Sequence, residues 1–274
     1  MTFSIAPMMK WTDQHCRYFH RILTKKAILF TEMISVDAIL YGPQHKLLSS
    51  NCFDNSTVIQ VGGNDPKKLG KVAKIVEKYG YTEINLNIGC PSNRVKSGNF
   101  GACLMASPQI VSDCVKSIKN NSNLKVSIKC RIGIDDMSSL DLDRFVSITS
   151  NAGVKKFIIH ARKAILGGLS PKQNREIPPL DYQRVEKLKK ENNDLIIILN
   201  GGILSLDAGI KQTQDLKLDG FMMGREAYKN PYILSFADKL TCGDSNEENI
   251  SRRTVAFKVA DYICLLYTSD AADE

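Results

Sequence analysis

In the stretch NLNIGCPSNRV, residues 85–95, an alternating apolar run breaks into Gly89, Cys90 and Pro91. Free cysteines are mostly small buried hydrophobes, and Cys103, Cys114 and Cys130 fit that description. Cys90 differs, because it stands past a strand-like run in a loop opened by a permissive glycine and pinned by a proline. A thiol with an ordinary pKa of about 8.5 is mostly protonated at neutral pH, so it can donate a proton as well as attack. Gln60 and Lys129 suit a planar heterocycle with alternating donors and acceptors, and the lysine can neutralise negative charge that grows on a ring during reduction. The plainer reading of Lys129 is a salt bridge. His160 reads either as a core histidine bonded to a carbonyl or, from its shared parity with Arg162, as a ligand contact.

Two glycine-containing turns, Asn200-Gly201-Gly202 and Gly224-Arg225, follow the last two apolar runs. Backbone N–H groups at such a pair of turns, with the positive end of a short helix, form a phosphate site in many barrels. Glycines that merely permit tight turns are the alternative.

These residues must be held by regular elements. Eight β-rich runs recur, each followed by a helix-compatible segment: SIAPM, AILFTEM, TVIQVGG, TEINLNIG, KVSIKCRIG, KFIIHAR, LIIILNGG and GFMMGR. Strand alternating with helix predicts parallel pairing. The number predicts an α/β fold of the (β/α)₈ TIM-barrel type, with a doubly wound sheet as the alternative. Successive strand residues point to opposite faces. Gln60, then Asn85 and Asn87, then Ser127, Lys129 and Arg131, then His160 and Arg162, and finally Asn200 each keep one parity within their run. Buried polar groups are costly when unpaired. These residues are therefore expected to meet one another or a ligand at the C-terminal ends of the strands, where barrel enzymes keep their active sites.

At 274 residues the chain accommodates one barrel, which needs roughly 250. Hydrophobic residues at 43% and charged residues at 24% exclude a disordered or fibrous chain. The 8 cysteines contain no C-x-x-C pair, so neither a zinc site nor a disulfide framework is expected, and a reducing compartment is the simpler reading. No metal is expected. MTFSIAPMMKW lacks the apolar core of a signal peptide, and LIIILNGGILSL is too short to span a bilayer, so a cytoplasmic protein without a membrane partner is expected. A formal charge of +8 favours a polyanionic partner. Lys67, Lys68, Lys71 and Lys74, at helical spacing, are read as a solvated face. After LSFADKL the polar run TCGDSNEEN reads as a linker, placing the catalytic domain at residues 1–242. The helical ISRRTVAFKVADYI in residues 243–274 reads as the start of a second, helical module, with a final acidic run of no evident structural role.

With these residues in hand, the sequence closely resembles the tRNA-dihydrouridine synthases, flavoenzymes that reduce a uridine in tRNA. The likeness runs from SIAPMM to NPYI through APMM, VIQVGG, NLNIGCPSNRVKSGNFGACLM, SIKCRIG, HARKA, NGGI and MMGREAY. The stretch HARKAILGGLSPKQNREIPPLDY looks like the A-type bacterial subgroup, whose targets are uridines 20 and 20a of the D loop. The resemblance implies FMN as cofactor and NADPH as reductant. Pro7, Met8 and Met9 would lie along the flavin through their backbone. Gln60 and Lys129 would sit on the ring edge, with His160, Asn200, Gly201, Gly202, Gly224 and Arg225 around the phosphate end. It makes Cys90 the proton donor to C5 of a uridine that receives hydride at C6 from flavin N5, with Asn87 touching the nucleotide and Arg175 and Pro178 touching tRNA. The family carries a complete C-terminal helical bundle that grips tRNA; here the chain stops after about its first helix. A monomer is expected.

Two rivals share much of this pattern. A flavin-dependent barrel reductase of a free pyrimidine or small enone uses the same phosphate and ring-edge residues, but leaves the basic surplus and the SPKQNREIPP loop without a use. An RNA-binding remnant without turnover leaves Cys90 without one.

Overall fold

A computed structural model describes residues 1–49, 56–92, 95, 97–243 and 249–270, the last four of these by backbone alone. Its strands are β1 (Thr2–Ile5), β2 (Leu29–Ser35), β3 (Thr57–Gly62), β4 (Glu83–Ile88), β5 (Lys125–Arg131), β6 (Lys156–His160), β7 (Ile196–Asn200) and β8 (Gly220–Met223). They form one sheet in the order β1-β8-β7-β6-β5-β4-β3-β2. Every paired register is parallel. The ends close through the Ser4–Ile28 bridge, where the Ile5 amide donates to the Ile28 carbonyl (2.9 Å) and the Ile28 amide to Phe3 (3.0 Å). This is the (β/α)₈ barrel that the alternation of runs predicts. β1 ends at Ile5, so Ala6, Pro7 and Met8 lie past the strand rather than in it.

Helices return the chain between strands: α1 (Gln14–Leu23), α2 (Val36–Tyr41), α3 (Gln44–Leu48), α4 (Pro66–Lys78), α5 (Pro108–Asn121), α6 (Ser139–Asn151), α7 (Tyr182–Glu191), α8 (Leu206–Asp215), α9 (Arg225–Lys229), α10 (Ala237–Cys242) and α11 (Arg252–Asp270). Their starts follow capping chemistry. Asp65 accepts from the Lys67 and Lys68 amides at 2.8 and 3.1 Å, with Pro66 in the first turn of α4, and Asp13 accepts from Cys16 at 2.8 Å to open α1. Ser138 and Asp141 make a reciprocal capping box at α6. Sequence reading gives no bounds to the helix-compatible segment between β2 and β3, which holds two short helices, α2 and α3. Each is one or two turns long, too short for a 3.6-residue apolar period to declare itself.

Two apolar layers hold the barrel. Ala6, Phe30, Val58, Ile158, Ile198 and Met222 fill the interior, and the larger cluster lies between strands and helices. Lys67, Lys71 and Lys74 face solvent, and Lys68 pairs with Asp37 at 2.7 Å, so the solvated-face reading of α4 holds. Cys114 and Cys130 are buried, and Cys103 partly so. α11 docks on α1, with Tyr262 stacked on Tyr18 at 3.8 Å between centroids and its hydroxyl 2.9 Å from His15 Nδ1. Of the expected linker, Gly243 ends α10 in the left-handed region (φ 71°), and residues 244–248 lie outside the described residues, as do Cys52 and the terminal 271–274. No helix among the described residues is long and apolar enough to cross a membrane.

Candidate functional site

The polar residues of one parity do converge. Asn87, near the end of β4, accepts from the Gly89 amide (3.2 Å) and the Cys90 amide (3.0 Å) through Oδ1, which folds the chain back immediately after the strand. The Cys90 carbonyl accepts from Ala102 at 3.0 Å, and its thiol lies 3.4 Å from Ser92 Oγ. The loop around the thiol is thus held at both ends, and Cys90 is only partly buried. Gly101 (φ 77°) is required opposite it, since a Cβ there would stand 2.7 Å from the Cys90 carbonyl.

Gln60 is buried, donating to Asn85 (2.8 Å) and accepting from Asn87 (2.8 Å). Lys129 Nζ donates to Asn200 Oδ1 at 2.9 Å, and Asn200 Nδ2 in turn donates to the Met222 carbonyl at 2.9 Å. Lys129 has no acidic partner among the described residues, so the salt-bridge alternative does not describe it. Burial, with Arg131 adding, brings its ammonium down from 10.5 to about 8. His160 closes β6, where its carbonyl accepts from the Arg162 amide (2.7 Å), and its ring makes no hydrogen bond within the described residues. Burial, and then Arg131, Lys129, Arg162 and Arg175, hold it well below the ordinary imidazole value, so the ring is neutral at pH 7.

A cationic cluster surrounds this mouth. Arg131 is buried and donates to the Gly89 (3.2 Å), Lys163 (3.3 Å) and Asn174 (2.8 Å) carbonyls. Arg162 donates to the Pro178 carbonyl, and its Nε is buried without a partner among the described residues. Arg175 ends the 3₁₀ turn Gln173–Arg175, its value lowered by burial and by Arg225. Arg225 opens α9 and pairs with Glu176 at 2.7 Å. That hydrogen bond holds the Glu176 carboxyl below its usual range. So much positive charge at one place calls for an anion.

The two glycine turns divide. Gly201 and Gly202 have φ of 106° and 74°, and a Cβ would strike His160 Cδ2 at 2.6 Å or Leu180 Cδ1 at 2.5 Å, so the tight-turn reading accounts for both. At Gly224 a Cβ meets nothing among the described residues nearer than the Ala6 methyl at 3.9 Å. Fold packing leaves that space open, beside Arg225 and at the same end of adjacent strands β7 and β8. An open seat, a partnerless buried Arg162 Nε and convergent cations fit a phosphorylated cofactor. Among the described residues no group of three or more His, Cys, Asp or Glu side chains could hold a metal.

Other expected positions differ in kind. The Met8 amide donates to Thr12 Oγ1 (2.9 Å), and its carbonyl accepts from Trp11 (3.0 Å) and Thr12 (2.9 Å), so a local turn already uses this backbone; Pro7 precedes it and Met9 is exposed. Pro178 is buried and lends its carbonyl to Arg162, whereas Arg175 is among the exposed residues of that loop. Sequence reasoning missed Asn174. This buried side chain accepts from the Ile165 amide (2.7 Å) and donates to the Ile165 and Leu169 carbonyls (2.9 and 3.2 Å), organising the segment that carries Arg175. It also passed over Glu83, although residues 83, 85 and 87 share one parity.

The Lys129 shift carries a measurable consequence. Between about 8 and 10.5 the unfolded chain holds this proton and the folded chain does not. Its contribution to stability therefore rises with pH across that window and is least favourable below it. The difference in melting temperature between the wild type and Lys129→Met is expected to favour the variant at pH 7 and to shrink as pH approaches 10. A pH-independent difference would contradict the assignment.

A family model described as dihydrouridine synthase matches residues 4–269. The tRNA-dihydrouridine(20/20a) synthase of Vibrio vulnificus is 49% identical over 262 residues, covering 95% of this chain and 79% of that protein. That of Shewanella oneidensis is 49% identical over 263 residues, covering 96% and 77%. The Escherichia coli K12 protein of the same name is 49% identical over 248 residues, covering 90% and 71%.

Proposed function

The chain belongs to the dihydrouridine synthase family, and from that membership we propose its reaction: flavin-dependent reduction of uridine in tRNA to 5,6-dihydrouridine. The finer reading takes FMN as the flavin, NADPH as its reductant and D-loop uridines 20 and 20a as the targets. The observation that carries it is the shared mouth. The Cys90 thiol lies within electrostatic reach of Lys129, Arg131 and Arg175, the same cations that surround His160 beside the glycine turns.

When bound, reduced FMN supplies the hydride for C6 of the uracil ring. The Gly224 seat, Arg225 and the unpartnered Arg162 Nε would hold the phosphate, with Asn200, Gly201, Gly202 and neutral His160 around it. Gln60 and Lys129 would meet the ring edge, and Pro7, Met8 and Met9 its other side. Addition at C6 drives negative charge towards C5 and the C4 oxygen of the uracil. Cys90 Sγ–H gives its proton to C5, so that two hydrogens are added across the double bond and the thiol regains its proton from solvent. Asn87 positions that thiol by capping its loop, and its remaining N–H is available to the nucleotide. Burial of Lys129 and Arg131 strengthens their pull on developing negative charge. Flipping the uridine out of folded RNA has an unstacking cost, which phosphate contacts from Arg175 and the basic surface offset.

We read residues 1–242 as the catalytic barrel and 243–274 as part of a helical tRNA-binding unit. Val255 and Tyr262 of α11 pack on the barrel, while Phe257, Ile263 and Leu265 remain exposed at 59%, 46% and 67%. A monomeric cytoplasmic enzyme is the simplest setting.

Purified protein supplied with FMN, NADPH and unmodified tRNA is expected to form dihydrouridine in the D loop, read by mass spectrometry of nuclease fragments. Reduction of free uridine but not tRNA would instead support a small-molecule reductase. Tight tRNA binding with no flavin uptake would support a binding protein without turnover.

A further inference from the structure

The barrel interior holds one continuous polar chain running from the mouth to the opposite end. The Gly89 and Cys90 amides donate to Asn87 Oδ1 (3.2 and 3.0 Å). Asn87 Nδ2 donates to Gln60 Oε1 (2.8 Å), Gln60 Nε2 to Asn85 Oδ1 (2.8 Å), and Asn85 Nδ2 to Ser127 Oγ (2.8 Å). Ser127 Oγ donates to Glu83 Oε1 at 2.6 Å, and Lys156 Nζ reaches Glu83 Oε2 at 2.6 Å. Gln60, Asn85, Ser127 and Glu83 are all buried.

The chain has a direction, and its two ends fix it. Backbone N–H groups at the mouth can only donate, whereas an ionised carboxylate can only accept. Every amide and hydroxyl between them must therefore donate away from the mouth. An Asn or Gln that turned over would set donor against donor, or acceptor against acceptor, inside a buried network where an unmade hydrogen bond is expensive. Lys156 pairs with the Glu83 carboxylate at the barrel floor, 2.6 Å from Oε2.

We propose that Glu83 is a positioning residue for the mouth, acting through Ser127 and Asn85 to fix which end of the Gln60 and Asn87 amides faces a bound ligand and to hold the Cys90 loop. This deepens the functional reading above and rests on it for the identity of that ligand. Gln60 is thereby committed to presenting its second N–H and its second oxygen lone pair in set directions, as a ring edge with fixed donors and acceptors requires. Asn87 is likewise committed to capping with its oxygen rather than its nitrogen. Glu83 touches neither ligand nor thiol.

Two variants of the full chain test this, because each keeps shape while ending the directionality differently. Glu83→Gln puts an amide that can donate or accept where only an acceptor stood, and Ser127→Ala cuts the chain in the middle with Glu83 untouched. Peptide-resolved hydrogen exchange on the protein without flavin should show the Gly89 and Cys90 amides exchanging about tenfold faster in both variants. The double variant should be no worse than either single one, as for members of one network. The absorption spectrum of titrated FMN should also shift in both. A merely structural Glu83 would lower the melting temperature in Glu83→Gln and leave exchange at residues 89–90 and the flavin spectrum as in the wild type, which would overturn the proposal. Additive effects of the two substitutions would overturn it too. The exchange measurement needs neither flavin nor tRNA. Its failure is therefore distinct from failure of the wild type to form dihydrouridine, which would remove the functional reading instead.

Discussion

Cys90→Ala is expected to bind FMN and accept electrons from NADPH at near wild-type rates while forming dihydrouridine about 10²–10⁴-fold more slowly, the range typical of losing a positioned general acid. The separation follows from where the thiol stands. Its own contacts are with the β4 loop and with Ser92, and none is with the glycine turns or Lys129. Removing it takes away the proton for C5 without touching the phosphate seat or the ring-edge side chains. Cys90→Ser should recover little, because a hydroxyl of the same reach holds its proton far more tightly than a thiol. Stopped-flow reduction by NADPH, followed by reoxidation with tRNA under anaerobic conditions, reads the two half-reactions separately. Equal reoxidation rates in wild type and Cys90→Ala would remove the thiol from the mechanism.

Gly224→Val should weaken FMN binding by about 100-fold or more while the apoprotein keeps a cooperative melt. A charge-assisted hydrogen bond is worth about 1.5–3 kcal/mol, so displacing a phosphate from even one such contact costs tenfold or more, and a valine in the seat displaces it from several. The position is chosen because a Cβ there has open space, with its nearest neighbour the Ala6 methyl at 3.9 Å. The same change at Gly201 would drive atoms into His160 and confound loss of cofactor with loss of fold. Fluorescence quenching during FMN titration measures the effect, and a nearly unchanged dissociation constant would place the phosphate elsewhere.

Period-2 parity made the site legible. Gln60, Asn87, Lys129, His160 and Asn200 are marked as inward-facing by alternation alone, and the barrel brings them to one end because all its strands run parallel. What alternation cannot supply is the partner of each group. Nothing local distinguishes Lys129, bonded across the barrel to Asn200, from a lysine in an ion pair. Nor does the sequence announce that Asn87 spends its oxygen on the Cys90 loop, since that depends on a turn geometry three residues long. Glu83 carried the right parity but sits at the beginning of its strand, where a charged residue is ordinarily read as solvent-facing. Asn174 lay in a loop without period, and its role comes from hydrogen bonds to backbone five to nine residues away. The bounds of helices α2 and α3 were not legible for the related reason that they are too short to repeat.

The clasp made by Asn174 bears on how quickly a large ligand is captured and how long it stays. Because that side chain has already frozen the segment from Ile165 to Arg175, docking against it forfeits little chain entropy. Capture should then be limited by charge steering and so be strongly salt-dependent. Loosening the clasp with Asn174→Ala, by contrast, should shorten the lifetime of the docked state more than it slows arrival.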